Sequence, residues 1–272
     1  MCYDAGTKSI YSGAGDGMIV CWKMEEPDGQ LVIRHHQAVY SLSVDANCLY
    51  SGTRSGLLSA FYLSDYSLKK HLQLSEAPLF EILPFVGGIA VVAGDGCLYV
   101  LNQQCTLSHK VQLSDKPLRT IIAVSEGYAV GASDGRIYLL NHQFEQTDMW
   151  QAQTGSVFTL CDDKQHETLI CGGRDGVLKW YKGHDCVREV KAHLLHVHRM
   201  QMREDGKYLL SSSMDKTIKL WDAGSGDLLK VIDAEKNGAH TSSVNKILWI
   251  DKNTIISCSD DRTLKCFEIQ EK

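Results

Sequence analysis

The 272-residue sequence predicts an all-β fold, a seven-bladed β-propeller of four-stranded antiparallel blades. Three observations predict it. Seven segments share one pattern: a short apolar run, small residues, an Asp-Gly-like turn, then an alternating run ending in a large apolar residue. They are IYSGAGDGMIVCW (10–22), LYSGTRSGLLSAF (49–61), AVVAGDGCLYVL (90–101), AVGASDGRIYLL (129–140), LICGGRDGVLKWY (169–181), LLSSSMDKTIKLW (209–221) and IISCSDDRTLKCF (255–267). The turn residue recurs at Asp16, Ser55, Asp95, Asp134, Asp175, Asp215 and Asp261, in steps of 39, 40, 39, 41, 40 and 46 residues. A period in this range is that of a propeller blade. Finally, period-two alternation recurs while no segment longer than ten residues has helical periodicity. The repeat runs end to end without a linker, so 1–272 reads as a single domain, with blades near 1–34, 35–74, 75–113, 114–152, 153–192, 193–239 and 240–272.

The elements follow in order. Blade one begins with MCYDAGTKSIYSG, an inner strand already partly cut, and continues through the first repeat segment. Blade two repeats the pattern with Ser55 in place of the turn Asp. Blades three and four are introduced by the related stretches LQLSEAPLFEIL (72–83) and VQLSDKPLRTII (111–122). Blade five carries Asp175 in its turn. Blade six spells out all four strands: HVHRMQM (196–202), the turn EDGKY (204–208), YLLSSS (208–213), the tight turn Met214-Asp215-Lys216, TIKLW (217–221), and DLLKVIDA (227–234) outermost. Gly206 supplies the backbone freedom for the first of these turns. In blade seven the third strand runs to Phe267 and only EIQEK follows.

In blade six, His193, Ser211, Asp215 and Trp221 sit at spacings that let them meet. A chain of hydrogen bonds from the Trp N–H to Ser, His and Asp would satisfy every polar group beneath the blade surface, each link worth about 1 kcal/mol net. The same residue types could suggest a hydrolase triad, but a Ser tied to Trp is buried and unavailable to a substrate. The segment HLLHVHRMQMREDGKYLLSSSMDKTIKLWDAGSGDLLKVI resembles a WD-repeat of the β-propeller family, and so does HTSSVNKILWIDKNTIISCSDDRTLKCFEI, with Phe267 replacing the Trp. The resemblance covers the whole chain. It is specific in copies one, six and seven and weaker in the middle. Copies three and four carry Ser75 and Ser114 in place of the His and lack the terminal Trp, so they are expected to be held by apolar packing alone. The family usually completes its last blade with an N-terminal strand. The resemblance therefore implies that blade seven lacks its outer strand, through absence of roughly 15–20 residues, one strand plus a connection. The alternative is an open ring with an exposed edge.

Net charge is −5 with no basic block, which excludes a general nucleic-acid binder. No apolar stretch reaches the roughly 18–20 residues that span a bilayer, and no signal peptide is visible. The ten cysteines form no CxxC pair, and several occupy strand positions where sister repeats carry Leu, Val or Ser. They read as free buried thiols in a reducing cytosol. There is no GxSxG, GxxxxGK[ST] or HExxH, and SGAGDG (12–17) is a strand–turn–strand rather than a phosphate loop. The acidic pairs Glu25/Glu26, Asp162/Asp163 and Asp260/Asp261 fall in turns and read as solvated. His193-x-x-His196-x-His198 has metal-like density, but His193 is claimed by the polar network, so no metal or cofactor is expected.

The resemblance also implies where partners bind. In such propellers two residues flanking the first apolar residue of the inner strand, and one preceding the turn Asp, reach the top face. These positions are Tyr40, Arg54, Pro78, Phe80, Arg119, Ser133, Phe158, Arg174, His196, His198, Met214, Asn245 and Asp260. Large aromatics and arginines carry most binding energy at interfaces, and arginines pair bidentately with carboxylates or phosphates. The alternative is that Tyr40, Phe80 and Phe158 pack inside blades, since a one-residue slip turns a strand side chain to the other face. The expectation is a non-catalytic cytoplasmic scaffold that docks a protein or peptide, acidic or phosphorylated, on the top face, with neither membrane nor nucleic acid contacted directly. Two other readings stand beside it: a subunit of a ribonucleoprotein or ubiquitin-ligase type of complex, and an enzyme with a site at the central channel using His196 and His198.

Overall fold

The computed structural model describes residues 1–24, 26 and 28–269. Glu25 of the Glu25/Glu26 pair and the final residues 270–272 lie outside the described residues. Backbone contacts divide the chain into two compact units, Met1–Ile121 and Ile122–Lys272.

The first unit holds three sheets, each a meander of four strands in chain order. They are β1 (Cys2–Asp4), β2 (Ser9–Gly13), β3 (Met18–Lys23) and β4 (Gln30–Arg34); β5 (Val39–Val44), β6 (Cys48–Thr53), β7 (Leu57–Tyr62) and β8 (Leu68–Gln73); and β9 (Leu79–Phe85), β10 (Gly88–Ala93), β11 (Cys97–Asn102) and β12 (Leu107–Gln112). The boundary between the units falls inside β13 (Leu118–Val124). In the second unit β14 (Gly127–Ala132), β15 (Arg136–Leu140) and β16 (Gln146–Gln151) follow β13 in its sheet. Then come β17 (Val157–Asp163), β18 (Thr168–Gly173), β19 (Val177–Lys182) and β20 (Asp185–Lys191), and β21 (Val197–Met202), β22 (Tyr208–Ser213), β23 (Ile218–Asp222) and β24 (Leu228–Ile232). The last sheet has three strands among the described residues: β25 (Val244–Trp249), β26 (Thr254–Ser259) and β27 (Leu264–Glu268).

Burial explains the composition of each strand. β6, β10 and β14 are buried along their whole length. Their sequences, CLYSGT, GIAVVA and GYAVGA, mix small and apolar residues because both faces are covered. Fourth strands such as β8 and β12 are mostly exposed and carry Lys69, Lys70, His109 and Lys110. Charged side chains on such an outer strand oppose edge-to-edge pairing. Apolar clusters fill the space within each unit, among them Leu58, Leu79, Ile89 and Leu101 in the first, and Leu178, Trp180, Val197, Leu209 and Trp221 in the second.

The structure differs from the sequence expectation after blade six. The outer strand ends at Ile232, and a single helical turn, α1 (Ala234–Asn237), follows. Asp233 caps it by accepting from the Lys236 N–H, and Gly238 closes it in the left-handed region at φ 62°. This inserted turn accounts for the long 46-residue step to Asp261. The thiols also differ in part. All ten cysteines are free, but Cys186 and Cys266 are exposed and Cys258 is half-buried.

The polar network forms as spaced. The Trp221 indole N–H donates to Ser211 Oγ over 2.8 Å. His193 Nε2 lies 2.7 Å from Ser211 Oγ, and Nδ1 lies 2.9 Å from Asp215. Ser211 accepts from Trp221, so its own proton goes to Nε2. His193 is then the neutral tautomer, with its Nδ1–H donating to Asp215. Burial holds the His193 pKa below its ordinary value against the pull of Asp215. Blade seven repeats the His240–Ser257 and His240–Asp261 links at 2.8 and 2.9 Å, blade two keeps His35–Ser51 at 2.9 Å, and blade one keeps Trp22–Ser12 at 2.8 Å.

Blades three and four correct the expectation of apolar packing alone. Ser75 Oγ and Tyr99 Oη both donate to Asp95, at 2.7 and 2.5 Å, and Tyr138 Oη donates to Asp134 at 2.6 Å. The loss of His and Trp is offset by a Tyr four residues after the turn Asp. The half-buried carboxylate still finds donors, which offsets its partial loss of water. In blade five Gln153 replaces the His and donates to the Val177 carbonyl.

Candidate functional site

The candidate side chains are positioned by a recurring defect in the inner strands. In five sheets the pairing of the first strand with the second slips by one residue. The slips lie between Val39 and Ser41, Leu79 and Glu81, Val157 and Thr159, Val197 and Arg199, and Val244 and Lys246. The extra residues are Tyr40, Phe80, Phe158, His198 and Asn245, all of them sequence candidates. A β-bulge leaves one residue out of the ladder and re-aims its side chain. Val39, Leu79, Val157, Val197 and Val244 beside them are buried, while Tyr40 and Asn245 are exposed and Phe80, Phe158 and His198 are half-buried. No member of this set is fully buried.

A second recurring bond brings the residue before the turn to the same end of its own sheet. Backbone N–H groups donate from Arg54 to Ala38, Gly94 to Pro78, Arg174 to Ser156, Met214 to His196 and Asp260 to Ser243, at 2.8–3.1 Å. Each acceptor is the residue just before its inner strand. Arg54, Arg174, Met214 and Asp260 are therefore held beside the bulge of their own blade, and all four are exposed.

In the first unit the structure brings three candidates together. The Tyr40 and Phe80 rings lie 6.0 Å apart, tilted by 39°. The Arg119 guanidinium sits 4.2 Å from the Phe80 ring centroid, a cation–π distance. Burial pulls the Arg119 pKa below its ordinary value, opposed by Tyr40. Pro78 is half-buried at the strand entrance.

In the second unit Phe158 lies 5.7 Å from His196 and 6.3 Å from His198, ring centroid to centroid. His198 Nε2 is 3.1 Å from Ser243 Oγ, which contacts Asn245 Oδ1 at 3.2 Å, and Asn245 Nδ2 donates to Asp260 at 2.6 Å. Burial, and next the neighbouring His196, hold the His198 pKa low, while Asp260 opposes them. Sequence reasoning missed Ser243, the link between His198 and Asn245; nothing but its position one residue before an inner strand signalled it. Ser133 is half-buried and its carbonyl accepts from Ser156 Oγ at 3.4 Å.

Ser211, the one Ser in a His–Asp constellation of blade six, is fully buried and bound to Trp221. Among the described residues no three His, Cys, Asp or Glu groups are placed to hold a metal ion. Also among them, no helix is long and apolar enough to cross a membrane.

Comparison with known proteins agrees with this architecture. The model of the WD domain, G-beta repeat, matches residues 184–222 and 232–268. The F-box/WD repeat-containing protein sel-10 of Caenorhabditis elegans is 24% identical over 119 residues, 42% of this chain and 19% of that protein. Coatomer subunit beta'-2 of Arabidopsis thaliana is 33% identical over 34% of this chain and 10% of its own length. Eukaryotic translation initiation factor 3 subunit I of Brugia malayi is 37% identical over 32% of this chain and 27% of its own length. The matches thus span under a third of each of these relatives. The crystal structure of the WD40 beta propeller domain of Doa1 aligns with a TM-score of 0.84 at 19% identity, over 97% of this chain and 90% of that one. A chain of the Mitotic Checkpoint Complex aligns with a TM-score of 0.87 at 13% identity, over 99% of this chain and 86% of that one. These likenesses show the fold, a seven-bladed β-propeller, and among the described residues its last blade has three strands.

Proposed function

Since this chain belongs to the WD-repeat β-propellers, we propose that it is a non-catalytic scaffold that docks a protein or peptide through the bulge residues of its inner strands and the residues before its turns. In the first unit these are Tyr40, Arg54, Phe80 and Arg119; in the second they are Phe158, Arg174, His196, His198, Met214, Asn245 and Asp260. The observation that carries the reading is the repeated bulge. Five blades spend a ladder position on a Tyr, Phe, His or Asn, and bulges of this kind re-aim a side chain and are over-represented beside functional sites. Exposed Arg54 and Arg174, with Arg119 stacked on Phe80, suit an acidic or phosphorylated ligand. We place it in the cytoplasm, a compartment that suits free thiols, most of them packed as small apolar groups inside blades.

A second reading, a subunit of a larger assembly, is favoured by the names of its relatives, which include a coatomer subunit and a subunit of a translation initiation factor. One experiment separates the two: affinity capture from native extract with the unaltered chain, Arg54→Glu and Arg174→Glu, read by mass spectrometry. The scaffold reading expects a partner that either charge reversal releases. A partner retained by both variants moves the interface to other surfaces and favours the assembly reading.

A further inference from the structure

Blades six and seven carry a cavity of about 520 Å³ at the end of β21 away from His198. One wall is the end of β21 and the hairpin after it, with Met202, Arg203 and Glu204. The other is the end of β25 and its hairpin, with Trp249, Ile250 and Asp251. The volume lies within the roughly 300–1,000 Å³ range of small-ligand sites.

The lining is divided by chemistry. Met202, Trp249 and Ile250 make it apolar. Arg203, though buried, is already engaged: it donates to both oxygens of Asp205 at 2.9 and 2.7 Å and to the Lys252 carbonyl at 3.0 Å. Its guanidinium lies 4.2 Å from the Tyr208 ring centroid and 5.8 Å from that of Trp249. Gln201 Oε1 accepts from the Trp249 backbone N–H at 2.7 Å and fixes the opposite wall. Glu204 and Asp251 are exposed. Asp251 Oδ1 accepts from the Asn253 and Thr254 N–H groups, which hold its carboxyl below the usual range. Glu204 has no hydrogen bond or ion pair among the described residues.

We propose that this cavity is a binding site for a basic side chain, arginine or lysine, of a partner segment. The aliphatic stem would lie on Met202, Ile250 and Trp249, and the charged head would meet Glu204 and Asp251. A long basic side chain has this division of stem and head, and an indole face attracts a cation. Charge complementarity selects this occupant over an anionic one: Arg203 is neutralised by Asp205, and the two rim carboxylates of Glu204 and Asp251 outnumber the one other cation of the lining, Lys252.

The probes are hexa-arginine and hexa-glutamate peptides, titrated by calorimetry and by Trp fluorescence at physiological salt. They are titrated into the unaltered chain, Glu204→Lys, and Glu126→Lys, an equal charge change at an exposed residue outside the site. The site expects saturable binding of hexa-arginine, weakened at least tenfold by Glu204→Lys and less than twofold by Glu126→Lys, with a fluorescence change that Trp249→Phe reduces. Three results overturn it: no saturable binding at millimolar peptide, equal loss in both Lys variants, or tighter binding of hexa-glutamate.

Discussion

At the scale of the residue, His193 shows how a buried titratable group becomes a stability term. The imidazole accepts from Ser211 and donates to Asp215 only when neutral, and burial lowers its pKa. The folded state then binds fewer protons than the unfolded chain once the pH falls below the unfolded value of about 6.5. Stability is full above that pH and declines as acid is added toward the folded pKa. His35 and His198 are lowered by burial in the same direction and add to the slope. The urea midpoint should therefore drop between pH 7.5 and 5.5, and His193→Gln, less stable at both, should show a smaller drop; an unchanged drop would contradict the neutral tautomer. Trp221→Ala should cost about 3–5 kcal/mol by emptying a buried aromatic site, and urea melts would read it. Arg174→Ala, exposed, should change stability by less than about 0.5 kcal/mol while weakening partner capture. The four-membered chain was legible in the sequence because its members recur at fixed offsets. The Tyr99–Asp95 and Tyr138–Asp134 pairs were legible too, as Asp-x-x-x-Tyr in two adjacent copies, but an alternating strand makes such a Tyr look like one more apolar residue.

At the scale of the element, the turn between the second and third strands decides what each blade tolerates. Gly176 has φ 74°, and a Cβ there would lie 2.6 Å from the His193 and Leu195 carbonyl oxygens. Gly176→Ala should destabilise by about 1–3 kcal/mol, through strain in the left-handed region plus that collision. Blades six and seven put Lys216 and Arg262 in this conformation, at φ 73° and 65°. Lys216→Gly relieves an αL cost of roughly 1–2 kcal/mol and adds about 0.4–1 kcal/mol of unfolded-chain entropy. A net gain of about 0.5 kcal/mol follows, and paired denaturation curves of the two variants should move in opposite directions. The bulges lie beyond what the strand pattern encodes. Alternation sets which residues pair, yet a one-residue slip at Tyr40 or Phe158 follows from pairing with a partner strand, and only the family resemblance pointed to those positions. The turn α1 was hidden for another reason: four residues hold too little periodicity to register, and only the long step to Asp261 betrayed it.

At the scale of the whole molecule, a period near 40 residues made the fold legible, because each copy repeats the same burial problem and the same solution. The cavity was not legible, because its walls come from residues 201–205 and 249–252, distant in sequence and joined by no motif. Within the second unit the two proposed surfaces sit at opposite ends of the strands. His198, Met214 and Arg174 flank the start of the inner strands, and Glu204 follows β21. Val197 to Met202 at about 3.3 Å per residue separates those ends by roughly 16 Å. That exceeds the Debye length of about 8 Å at physiological salt, so charges at one end are screened from the other. Arg174→Glu should then weaken an acidic ligand, probed by hexa-glutamate, and leave hexa-arginine binding within about twofold. Glu204→Lys should do the reverse, and the double variant should show the two losses as a simple sum of free energies. If Arg174→Glu instead strengthened hexa-arginine binding by as much as Glu204→Lys weakens it, net charge alone would govern both peptides. The bulge residues and the cavity would then have no separate roles in recognition.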